Sequence, residues 1–244
     1  MLLEKIENSP IFYKNKTDRL ISYLLKRNNI LFITTSNRWE GHADDVPKST
    51  QLAHDLRNKL SDKNVKIIDV TKLKIFPCEG NVSSKWGNTC GLKDALLKDK
   101  EKNPSGYHRC WASINNKNDE LWKVSKALFE SDAVVLFGSV RWGQANSFYQ
   151  KLIERLCWIE NRHTTLSETN IVKNIDAGVV FVGQNWNGRT VLNTQKQVLE
   201  FYGFNTPDAL SFNWQYTSDA TDETQSSYKN AIKVFRKIFG LDKD

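Results

Sequence analysis

The stretch Ala133-Val-Val-Leu-Phe137, continued by Gly138-Ser-Val-Arg-Trp-Gly-Gln-Ala-Asn-Ser147, decides the fold. Its first five residues are apolar without alternation. Both faces of the strand they form must therefore be covered, as in the parallel sheets of α/β proteins. A polar loop with two glycines follows. Phe148, Tyr149, Leu152, Ile153, Leu156 and Cys157 then recur at helical spacing, so a helix runs from Ser147 to Glu160. A loop at the carboxyl end of a central parallel strand is where open α/β sheets place their ligands.

The same alternation extends outward in both directions. Ile30–Thr34 and Val65–Val70 read as strands, with a helix between them that shows Leu52, Ala53, Leu56 and Leu60 on one face. Gly178–Val182 reads as a fourth strand and Asp208–Phe212 as a weaker fifth at the sheet edge. Helices are expected at Asp119–Glu130, with Asp119 as cap, at Thr190–Tyr202, stopped by Gly203, and at Asp222–Phe239. The last should turn Tyr228, Ala231, Ile232, Phe235 and Phe239 inward. An added helix at Asn8–Asn29 carries Leu20, Ile21, Leu24 and Leu25 on one face, with Thr17 as its cap. The expectation is a doubly wound α/β fold with five parallel strands in the order 2-1-3-4-5, in one domain over residues 1–244. Residues 1–29 form an accessory element. Residues 71–118 form a long insertion after strand 2, with a short helix at Leu92–Asp99, near the ligand or a subunit contact.

The formal charge is +7, but lysine and arginine are scattered and no dense basic block occurs. That pattern points away from nucleic acid and toward a solvated surface or an anionic small ligand. No run of eighteen apolar residues exists, and Met1–Glu7 is charged too early for a signal peptide. A cytoplasmic protein without membrane contact is expected. Its four cysteines are then thiols.

Three loops follow strands one, three and four: Thr35–Thr50, Gly138–Gln144 and Gly183–Arg189. In the order 2-1-3-4-5 they converge on one crevice. Lys48-Ser49-Thr50 opens a helix, where free N–H groups and hydroxyls suit a phosphate, with Ser36, Asn37 and Arg38 as further donors. The alternative is that Ser49 is only an N-cap. Arg141, Trp142, Gly143, Gln144, Gln184, Asn185, Trp186 and Gly188 offer backbone amides and indoles to a flat ring with polar edges. They read equally well as turn glycines with core-capping tryptophans. Neither a P-loop nor a G-x-G-x-x-G is present.

Over about residues 30–240 the chain resembles the NADPH-dependent FMN reductases and multimeric flavodoxins, a flavodoxin-like group. Ser36, Arg38, Ser49 and Thr50 match its first loop. Ser139-Val-Arg-Trp-Gly143 with Lys151-Leu-Ile-Glu-Arg155 matches its second motif, and Gly183-Gln-Asn-Trp-Asn-Gly188 its third. The resemblance implies that the first loop holds the FMN phosphate. Ser139, Val140, Arg141, Trp142, Gly143, Gln144, Gly183, Gln184, Asn185, Trp186 and Gly188 would then embrace the ring. It implies an FMN-dependent NAD(P)H oxidoreductase that reduces a quinone-like or other small acceptor, as a homodimer or homotetramer. The alternative is a non-enzymatic electron-transfer protein, although such carriers are typically shorter and acidic.

Arg141 stands where that group has an aromatic residue. His108 and Arg109 are the candidates for meeting a hydride acceptor or a nicotinamide phosphate, and Arg141 the candidate for stabilising the anionic reduced ring. Cys78, Cys90 and Cys110 lie where some relatives insert an iron–sulfur cluster, but the compact spacing of cluster ligands is missing, so no metal is expected.

Overall fold

The computed structural model describes residues 10–38, 45–183, 186–215 and 224–239. Helix α1 (Pro10–Leu24) leads into strand β1 (Asn29–Thr34), helix α2 (Lys48–Lys59) and strand β2 (Asn64–Asp69). Residues 71–118 contain 3-10 turns, two isolated antiparallel bridges (Ser84 with Gly87, Leu96 with Arg109) and the short helix α3 (Trp111–Asn115). Helix α4 (Leu121–Phe129) follows, then strand β3 (Ala133–Arg141), the two-residue strand β4 (Gln144–Ala145) and helix α5 (Ser147–Thr164). Strand β5 (Asp176–Gly183), helix α6 (Gly188–Phe201), strand β6 (Phe212–Gln215) and helix α7 (Gln225–Phe239) complete the described elements.

The long strands pair in parallel in the order β2-β1-β3-β5-β6. With β4 set aside this is the expected 2-1-3-4-5, and β4 adds a sixth strand antiparallel to the end of β3. Side chains alternate across the sheet as the pleat requires. Ile30, Phe32, Val135, Phe137, Val180 and Val182 face a core completed by α1, α2 and α7. Leu31, Ile33, Val134, Leu136, Val179 and Phe181 face the other, completed by α4, α5, α6 and residues 71–118.

Several expectations are corrected. The fifth strand lies at Phe212–Gln215, not at Asp208–Phe212. Pro207 cannot donate to a ladder, and Leu210 N–H returns to its carbonyl, so Asp208–Leu210 forms a 3-10 turn. Phe212 and Trp214 then alternate inward with Asn213 and Gln215. The helix expected at Leu92–Asp99 is only a 3-10 turn, Lys93–Ala95. Thr17 caps nothing: it lies inside α1, and its hydroxyl donates to the Tyr13 carbonyl at 2.9 Å. Helix α4 starts at Leu121 with Glu120 as its boundary residue; Asp119, one residue earlier, accepts from the Leu121 N–H at 3.2 Å and also pairs with Arg155. Ile232 and Tyr228 are largely exposed rather than inward. Gly203 holds a φ of 93° just beyond α6, as its helix-stopping position requires. No helix among the described residues is long and apolar enough to cross a membrane.

Candidate functional site

Because β1, β3 and β5 are neighbours and parallel, their carboxyl ends open at one edge of the sheet. A crevice of about 440 Å³ lies there, within the range of small-molecule sites. Asn146, which the sequence reading passed over, fixes its floor. This buried side chain donates to the Thr35 carbonyl at 2.7 Å and accepts from the Ser139 N–H at 3.1 Å. The Thr35 hydroxyl lies 3.0 Å from its Oδ1. One amide thus ties the end of β1 to that of β3.

The β1 side supplies Ser36, Arg38, Pro47, Lys48 and Ser49. Ser49 is not an N-cap. The helix boundary is Pro47, which offers no side-chain acceptor, and the buried Ser49 hydroxyl donates to Ser36 Oγ at 2.8 Å. Arg38 pairs with Asp45 at 3.1 Å. Burial, and then the neighbouring Arg38 charge, pull the Lys48 ammonium below its ordinary range, with Asp45 opposing them. Arg38 and Lys48 thus bring two positive charges to the positive end of α2, where an anion is favoured. Thr50 is buried beside the crevice without lining it, and its hydroxyl has no hydrogen-bond partner among the described residues.

From β3 come Ser139, Val140, Arg141, Trp142 and Gly143. The sequence reads Gly138–Gln144 as a loop, whereas the chain stays extended to Arg141 and folds back at once. Arg141 pairs with Gln144 across the two-residue turn Trp142-Gly143, whose φ values are 50° and 69°. Two successive positive φ angles are the mark of a type I′ hairpin turn. Trp142 is 92% exposed. Gln144 is exposed and does not line the crevice, while the Ser139 hydroxyl is buried with no partner among the described residues.

The β5 side adds Val182, Gly183 and Trp186. A Cβ on Gly183 would stand 3.2 Å from Val140 Cβ, and one on Gly143 would stand 2.6 Å from the Trp186 ring. Asn187 Nδ2 donates to the Gly143 carbonyl at 2.6 Å, which locks the two segments together. Gly188 opens α6 against Asn213 and does not line the crevice. Gln184 and Asn185 lie outside the described residues. Pro47, Val182 and Tyr228 join the crevice without any motif in the sequence that marks them. Tyr228, from α7, was read as core because its spacing fits the apolar face of that helix.

His108 and Arg109 are taken out of the crevice. The His108 ring is fully buried, with Nδ1 2.8 Å from Ser125 Oγ and the ring against Trp158. Burial pushes its pKa down to about 4. Arg109 binds Glu168 at 2.7 Å in a separate cleft with Arg162. Helix spacing hides such burial, because both residues lie in a stretch without regular structure.

No group of three histidine, cysteine or carboxylate side chains among the described residues is arranged to hold a metal ion. No family model and no curated protein matches the chain. Solved structures do. RosB with bound 8-demethyl-8-formylriboflavin-5'-phosphate aligns with 87% of this chain and 76% of its own, at 12% identity and a TM-score of 0.55. Azoreductase AzrA aligns at 10% identity and a TM-score of 0.52, covering 87% of this chain and 98% of that one. An azoreductase from Bacillus anthracis str. Sterne gives 10% and 0.50, covering 88% and 96%. At such identities the likeness concerns architecture, and the architecture is flavodoxin-like.

Proposed function

We propose that the crevice binds FMN and that the protein is a flavin-dependent NAD(P)H oxidoreductase acting on a small acceptor such as a quinone. One observation carries this reading: a single crevice joins an anion-favouring segment, Ser36, Arg38, Lys48 and Ser49, to a segment rich in aromatic rings and backbone amides, Trp142, Gly143, Gly183 and Trp186. The unpartnered buried hydroxyl of Ser139 fits a polar ring edge, and the Ser36 hydroxyl is free to donate because it already accepts from Ser49. A RosB structure that holds a riboflavin phosphate, and azoreductases of the same architecture, support the assignment.

Bound FMN would supply hydride acceptance and release. The chain's own part is to bind and orient. Arg38, Lys48 and the Ser36 hydroxyl meet the phosphate. Trp142 and Trp186 bound the ring and exclude water from it. Arg141 and the N–H groups of the β3 turn would hold the polar edge of the ring and would favour negative charge there. Assembly as a homo-oligomer belongs to this reading.

The purified protein should be yellow, or become so with added FMN, and should oxidise NAD(P)H in steady state without a second reductase. Ser49→Asp would set a carboxylate beside the phosphate, so FMN affinity should fall roughly a hundredfold or more. A colourless protein that takes up no FMN ends the proposal. A yellow one that oxidises no NAD(P)H is an electron carrier instead.

A further inference from the structure

The four cysteines are free thiols, and three of them meet. Cys157, on α5, places its sulfur 3.4 Å from that of Cys90. Cys78 lies close enough to Cys157 for the two thiols to interact. Cys110 is held apart, accepting from Arg155 Nη2 at 3.5 Å. Cys78 and Cys157 are partly exposed and Cys90 is buried. The backbone brings the two chains together independently of the sulfurs. Gly91, at a φ of 78°, lies so close to α5 that a Cβ there would stand 2.9 Å from the Trp158 carbonyl oxygen. Asn88 fixes the loop by accepting from the Cys90 N–H at 3.1 Å and donating to Asn161 on α5. Neighbouring backbones are what a disulfide needs, and the two sulfurs, 3.4 Å apart, have only to close to about 2.05 Å.

We propose that Cys78, Cys157 and Cys90 form a disulfide-forming site that takes up a hydroperoxide at Cys78 and leaves the bond between Cys90 and Cys157. The sulfur of Cys78 attacks the peroxide O–O bond, becomes a sulfenic acid, and the peroxide is reduced to water. Cys157 then attacks the Cys78 sulfur. The S–S bond forms, and the departing hydroxide leaves as water with the Cys157 proton. Cys90 next attacks Cys157, the first disulfide breaks, and Cys78 leaves with the proton that Cys90 gives up. Two thiols and one hydrogen peroxide become one disulfide and two waters. The bond would strap residues 71–118 to α5. The hydrogen bond to Cys157 and burial hold the Cys78 thiol above its ordinary range, so the reaction is slow at neutral pH and quickens as pH rises.

The test treats the folded full-length protein with hydrogen peroxide, alkylates the remaining thiols under denaturing conditions and maps the peptides. The expected product joins Cys90 to Cys157, leaves Cys78 and Cys110 alkylated, and melts on the order of 10 °C higher, because the closed loop is long. Cys78→Ser should slow formation of the same bond, and Cys90→Ser should stop the reaction at a Cys78–Cys157 bond. Four alkylated cysteines after oxidation, a bond through Cys110, or sulfinic and sulfonic acids alone would overturn the proposal. The wild-type map decides even where a variant folds poorly, and neither outcome depends on flavin.

Discussion

Trp142 holds the first central position of a type I′ turn, where asparagine, aspartate and glycine are favoured because φ must be positive. For a bulky L-residue that conformation costs about 1–2 kcal/mol. At 92% exposure the indole buries almost nothing to offset it. The strain is maintained by the β3–β4 pairing and by the Asn187 bond to Gly143. A strained, exposed aromatic at the mouth of a crevice is explained if it meets a ligand. Trp142→Asn should therefore move two properties in opposite directions. Unfolding free energy should rise by about 1 kcal/mol, since asparagine accepts this φ. FMN affinity should fall roughly tenfold, the loss of one stacked ring. Denaturant melts and fluorescence titration of FMN measure both. A variant that loses stability and keeps its affinity would make Trp142 a structural residue.

Helix α5 joins the core that residues 71–118 complete. Its Arg155 and the partner Asp119 are both fully buried, joined by bonds of 2.8 and 3.0 Å. The same guanidinium donates to the Phe76 carbonyl and the Ser113 hydroxyl, so one side chain gathers both ends of the irregular stretch. Burial alone would raise the Asp119 carboxyl, but the hydrogen bonds from Arg155 and Ser113 outweigh it and hold the group below its ordinary range. Removing one partner strands a buried charge. Asp119→Asn or Arg155→Met should cost about 3–5 kcal/mol in urea unfolding, and the double variant should cost less than the two single losses together. Full additivity would show that the ion pair does not act as a unit.

At the scale of the whole molecule, what was legible in the sequence followed periodicity. The unbroken apolar runs of β1, β3 and β5 and the helix faces gave the layers and the strand order, and the order placed the crevice. What was not legible depended on partners distant in the chain. Asn146 bonds to Thr35, Tyr228 reaches the crevice from the last helix, and His108 enters the core against Trp158, and no local spacing records these. His108 also sets how the entire fold responds to acid. Its pKa is near 6.5 in the unfolded chain and about 4 when buried. Between those values the unfolded state binds more protons, so stability falls as pH drops through this window, by up to about 3 kcal/mol. Asp119 adds its own loss only at lower pH, because its carboxyl is held below the ordinary range. The net charge of +7 makes the molecule more self-repelling in acid whatever His108 does, so the informative quantity is a difference. His108→Gln cannot take up a proton. It should be less stable than the wild type at pH 7.5, having lost a fitted ring, and the gap should close between pH 6.5 and 4. Urea unfolding at a series of pH values measures this gap. A gap constant across that range would mean that His108 does not titrate on unfolding.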